Sequence, residues 1–113
     1  MKRKRSPVIP LPDRLRSIRD GTFGWIEHRF VREGHIRKLA PEDIAVYVFL
    51  VLAADRFGVS HWRHDAIGKQ LGLDATDVRR AVSRLIDLDL VAFKPYTQHD
   101  PNGFFQVLCL PKR

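Results

Sequence analysis

Asp65-Ala66-Ile67-Gly68-Lys69-Gln70-Leu71-Gly72-Leu73-Asp74-Ala75-Thr76-Asp77-Val78-Arg79-Arg80-Ala81-Val82-Ser83-Arg84-Leu85 is the stretch on which the fold turns. Ile67 and Leu71 stand four apart, the spacing that puts two apolar side chains on one helix face. Gly72 can take the left-handed conformation that closes a helix. Asp74 stands where a carboxylate accepts from the free backbone N–H groups of a helix start. The spacing predicts one helix over about Arg63–Leu71 and a second over Ala75–Asp87, with Val78, Val82 and Leu85 inward. Behind them, Leu90–Tyr96 and Phe104–Leu110 are apolar runs around the polar loop Thr97–Gly103, the pattern of a β-hairpin. Helix, tight turn, helix and hairpin in that order, on a basic chain, point to nucleic-acid binding rather than catalysis.

Upstream, Pro41-Glu42-Asp43 opens a further helix. Proline is tolerated at the first helical position, and carboxylates favour the positive end of the helix dipole. From Ile44 to Ala54 every residue is apolar apart from the Tyr47 hydroxyl. A helix apolar on all sides must be covered on all sides. The cover is expected from the Thr22–Leu39 segment, a second subunit, or both, which is the sequence argument for a homodimer through the N-terminal extension and the 41–54 helix. Thr22–Glu33 reads as a helix capped by Thr22, with Ile26 and Phe30 four apart; a strand over Trp25–Val31 is the alternative. Trp25 and Trp62 are expected to pack this segment against the apolar helix. Stacking on single-stranded nucleic acid, with Arg29 and Arg63 nearby, is the rival role. Val59–Trp62 reads as a short strand. Asp13–Asp20 is a helical turn or coil, and three prolines make residues 1–12 extended or disordered.

The division that follows is a basic, proline-containing arm (1–20), a helical extension (21–40) and a single small domain (41–113). The net charge is +7 in 113 residues, with a pI of about 10.2. Residues 1–20 hold seven Lys/Arg against two Asp, while the other 93 hold thirteen basic against eleven acidic. Most of the excess therefore sits on the arm, as Lys2, Arg3, Lys4, Arg5, Arg14, Arg16 and Arg19, where it would neutralise phosphates without reading sequence. One cysteine excludes an internal disulfide framework and fits a cytoplasmic protein. No apolar run is long enough to cross a bilayer, and no secretory signal is visible, so no membrane partner is expected.

With Val78, Val82 and Leu85 inward, a rotation of about 100° per residue puts Thr76, Arg80, Ser83 and Asp87 outward. Arg79 and Arg84 lie on the flanks. Arginine can bind guanine through two hydrogen bonds, and small hydroxyls let a helix backbone approach the major groove. Arg80 is the leading base-contact candidate, and Arg79 and Arg84 are candidates for phosphates. Asp77, three before Arg80, argues for an ordinary solvated face instead.

Ile67, Leu71-Gly72-Leu73, Val78, Val82, Leu85 and Leu90-Val91 together resemble bacterial winged helix-turn-helix proteins. The general plan is similar to the small helix-turn-helix proteins of mobile elements and the winged domains of plasmid replication initiators. Asp89 stands where those families usually carry glycine, and aspartate also tolerates left-handed geometry. The resemblance covers about Pro41–Leu110. It implies a mainly α fold with a small antiparallel β-hairpin, a winged helix-turn-helix with an N-terminal extension. It also implies sequence-specific binding of double-stranded DNA, in transcriptional regulation or in the replication or transposition of a mobile element. Thr76, Arg79, Arg80, Ser83 and Arg84 would then form the recognition helix, and Lys94, Tyr96, Gln98, His99 and Asn102 the wing.

Five histidines and Cys109 raise a metal site, but His61-x-x-His64 has no second close pair to complete a tetrahedral set. Cys109 reads as a small hydrophobe in a strand. No phosphate loop, nucleophile triad or HExxH motif is present, so neither an enzyme nor a cofactor is expected. The rival class is a protein adaptor module within a replication or transposition complex. An exposed apolar patch would favour that rival, and a positive face over the recognition helix would favour DNA.

Overall fold

The computed structural model describes residues 8–16 and 23–111. Four helices and three strands follow in the order α1 (Arg29–Arg32), α2 (Pro41–Ala53), β1 (Val59–Ser60), α3 (His64–Leu71), α4 (Ala75–Asp87), β2 (Val91–Pro95) and β3 (Gly103–Val107). The fold is mainly helical with a small antiparallel sheet of order β1-β3-β2. β3 is central, pairing Ser60 with Phe105 on one side and Phe93 with Phe105 on the other. Its burial alternates, with Gly103 and Phe105 inward and Phe104 and Gln106 outward, as a strand with one face on a core requires.

α2 begins as its sequence predicts. Asp43 in its first turn turns back to accept from the Ala40 N–H at 2.8 Å. Val46 and Leu50 of α2, Ile67 of α3, Val78 and Leu85 of α4, and Phe105 of β3 are completely buried and form one core. Each such aliphatic side chain contributes about 1.5–3 kcal/mol relative to its exposed state. The loop into β1 is held by Asp55, whose carboxylate accepts from the N–H groups of Phe57 (2.8 Å) and Val59 (3.0 Å). Those two bonds hold the Asp55 carboxyl below its ordinary range.

Three expectations are corrected. The helix read over Thr22–Glu33 is one turn, Arg29–Arg32; residues 23–27 are neither helix nor strand, and Thr22 lies outside the described residues. A 3-10 turn at Ile36–Lys38 follows, and another occupies Pro12–Arg14 in the arm. Four residues are too short to stand as a helix without packing, and only Phe30 of α1 is buried, stacked on Tyr47 at 4.9 Å. Trp25 does not pack on the core; it is 73% exposed. Trp62 is half-covered, meeting Phe49 edge-on at 4.9 Å. Within one copy, Val48 and Leu52 of α2 remain exposed. Cys109, read as a small hydrophobe in a strand, lies beyond β3 and is exposed. Among the described residues no helix is long and apolar enough to cross a membrane.

Candidate nucleic-acid interface

α3 and α4 meet through the three residues Gly72–Asp74. Gly72 closes α3 at φ 74°, in the left-handed region where a Cβ is unfavourable. The Leu73 N–H then donates to the Gly68 carbonyl at 2.9 Å, which satisfies the end of α3 and turns the chain. A Cβ at Gly68 would collide with the carbonyl oxygen of Leu73, so the tight approach of the two helices depends on glycine there. Asp74 caps α4 as its position predicts, accepting from the Asp77 N–H at 2.9 Å.

α4 has two chemically distinct sides. Val78, Ala81, Val82 and Leu85 are buried against the core, while Thr76, Arg79, Arg80, Ser83 and Asp87 are exposed. The three arginines differ in what holds them. Arg80 reaches Asp77 at 3.3 Å on an exposed face, a contact that water screens. Arg84 is directed to the Asp43 carboxylate, its Nε 3.2 Å from Oδ2. Asp43 is buried, so this pair ties α4 to the start of α2 and Arg84 is not the free flanking cation the sequence suggested. Arg79 makes no ion pair among the described residues. Lys69 on α3, which the sequence reading passed over, is likewise exposed and outside any such pair. Its signal was its place between Ile67 and Leu71, on the side of α3 away from the core.

The hairpin tip divides in the same way. Lys94, Gln98 and His99 are exposed, His99 with φ 72°. Tyr96 is partly covered: its hydroxyl donates to the His61 carbonyl at 2.9 Å and its ring meets Phe104 edge-on. Asn102, expected at an accessible tip, is only 6% exposed. Its side-chain oxygen accepts from the His64 backbone N–H at 2.9 Å and lies 3.0 Å from His64 Nδ1. Arg63, the residue before α3, makes no side-chain cap, and the distant Asn102 takes that place. Asp100 in turn accepts from the Asn102 N–H at 2.8 Å and holds the loop in that shape.

His64 is buried among Phe93, Phe105 and Asn102. Burial pushes its pKa below the ordinary 6.5; the Asn102 hydrogen bond opposes this, and the charge of Arg79 adds to it. A neutral ring with Nδ1 as donor matches the Asn102 acceptor.

No family model, curated protein or solved structure matches the chain.

Of the arm, Arg14 and Arg16 are exposed. Lys2, Arg3, Lys4, Arg5 and Arg19 lie outside the described residues. Among the described residues no group of three or more His, Cys, Asp or Glu side chains is arranged to hold a metal ion. His61 meets Phe104, while His64 is bonded to Asn102.

Proposed function

We propose that the chain is a winged helix-turn-helix protein that binds double-stranded DNA in a sequence-dependent manner, with α4 in the major groove. The observation that carries this reading is the two-sided α4. It is sealed to the core along Val78, Ala81, Val82 and Leu85, braced by α3 through the Gly72–Asp74 turn, and leaves Thr76, Arg79, Arg80 and Ser83 outward. A rigid helix with a polar, unencumbered side that carries arginines and short hydroxyls fits a groove about 12 Å wide.

Arg79, free of carboxylate partners among the described residues, has the least to lose on meeting DNA. Arg80 exchanges a screened contact with Asp77 for a guanine edge, where two parallel hydrogen bonds are worth about 1–3 kcal/mol of discrimination. Thr76 and Ser83 allow close approach. Lys69 on α3, Lys94 in β2 and Gln98 and His99 at the hairpin tip would meet phosphates, and the arm would add Lys2–Arg5, Arg14, Arg16 and Arg19. Phosphate contacts set register and affinity, and base contacts set sequence. The reading assigns no reaction and no cofactor. It fits repression, activation or the replication or transposition of a mobile element in a bacterial cytoplasm. Replacing Arg79 and Arg80 together by alanine tests it. The double variant should lose its preference for a selected duplex over a random one, and unchanged preference would remove α4 from the contact.

A second reading, a protein-binding module, is favoured by one specific observation: the exposed apolar face beside the C-terminal end of α2. The two readings concern different surfaces and are compatible.

A further inference from the structure

We infer that the face formed by Phe23, Trp25, Val48, Leu52 and Phe57 docks a second copy of this chain. Val48 and Leu52 stand four apart on α2, and so on one side of it. The backbone at Gly24 lies directly against Val51 and Leu52, which sets Phe23 and Trp25 at the end of that stripe. Phe23, Trp25 and Phe57 line a groove of about 400 Å³. Trp25 is 73%, Phe57 68%, Leu52 65% and Phe23 62% exposed.

Area and charge argue for self-association. Aromatic side chains present about 150–250 Å² each, so at these exposures the five residues offer on the order of 600 Å² of surface. That is the upper end for the largest apolar patch of a monomer, and with its rim it approaches the roughly 800 Å² per partner of a stable complex. The rim carries both signs, with Glu27 and Asp55 acidic and Arg56 basic. A nucleic acid or an anionic membrane would meet repulsion at the two carboxylates. Glu27 is already paired with Arg29 at 3.0 Å, so the Arg56 of a second copy need only face Asp55, and the twofold returns the same pair on the other side. The face also holds both a largely exposed side chain, Trp25, and a groove of about 400 Å³ beside it. A twofold arrangement needs that self-complementarity, because each copy must give and receive the same contact.

The inference depends on the fold and not on the DNA reading, and its test contains no DNA. Sedimentation velocity of the full chain, from low micromolar to hundreds of micromolar, should show a monomer–dimer equilibrium. Leu52→Glu and Phe57→Ser should each weaken it by about tenfold or more, with unchanged circular dichroism because both side chains are exposed. Reaction of Cys109, the single cysteine and part of the groove lining, with a thiol reagent should slow as the dimer forms. A chain that stays monomeric with a reactive Cys109 would overturn the inference and leave the face to another protein. A monomer with a protected Cys109 would overturn it in favour of the chain's own N-terminal residues folding over the groove. A dimer indifferent to both substitutions would place self-association elsewhere.

Discussion

The side-chain oxygen of Asn102 caps the helix that begins at His64, accepting from its backbone N–H at 2.9 Å and meeting its ring at 3.0 Å. A loop residue of the hairpin thus fixes the start of α3, 38 positions earlier. The hairpin and the α3–α4 pair are thereby held as one unit, which a reading head needs if its tip and its helix are to touch the same duplex.

Asn102→Ala should therefore destabilise the fold by about 1–3 kcal/mol, because it leaves a buried donor without a partner. Chemical denaturation checks this. A loss within about 0.5 kcal/mol, the range of ordinary surface substitutions, would show that the cap contributes little.

His64 makes stability depend on pH. Its folded pKa lies below the unfolded value of 6.5, so below that value the unfolded chain binds the proton more readily. The contribution is fully present above about pH 6.5 and is lost as pH falls from there through the folded pKa. Thermal melts across this range should show that decline, and His64→Gln should flatten it. A wild-type curve level from neutral pH to below 6 would contradict the burial argument.

Arg84→Met should cost about 1–2 kcal/mol, since it leaves the buried Asp43 carboxylate with the Ala40 N–H but without its counter-charge. This is less than for a fully buried pair because Arg84 is half-exposed. If Arg84 holds α2 rather than DNA, its loss should weaken DNA binding less than Arg79→Ala does. The reverse order in a binding assay would return Arg84 to the interface.

Asp89, at φ 62°, occupies the left-handed position after α4, followed by a Leu90 N–H to Leu85 carbonyl bond of 3.0 Å. Glycine has no Cβ to strain there, so Asp89→Gly should raise stability by up to about 1 kcal/mol. Equal or lower stability would mean the aspartate serves another purpose.

These features were unevenly legible in the sequence. α4, its Asp74 cap, the Gly72 turn and the left-handed Asp89 are local: each depends on neighbours within a turn or two, and periodicity and capping chemistry read them directly. The apolar run Ile44–Ala54 announced a helix but could not say which side stays open, because a sequence with no polar face has no phase. Trp25 misled for a related reason. Large aromatics are usually buried, and only the fold reveals that α2 turns Leu52 outward beside it. The Asn102–His64 cap and the Arg84–Asp43 pair join residues far apart in the chain, and no local pattern marks them. β1 was read as a strand, but its pairing with β3 is likewise a long-range fact.

The central claim is that the folded body, and not the basic arm alone, engages duplex DNA. Fluorescence anisotropy of the full chain, with random duplex and with duplex selected from a pool, across a salt series, tests it most directly. The account predicts binding to the selected duplex that persists at physiological salt and exceeds random binding by about 10³ or more. Weak binding that disappears equally for all duplexes as salt rises would contradict it, leaving only the charge of residues 1–20.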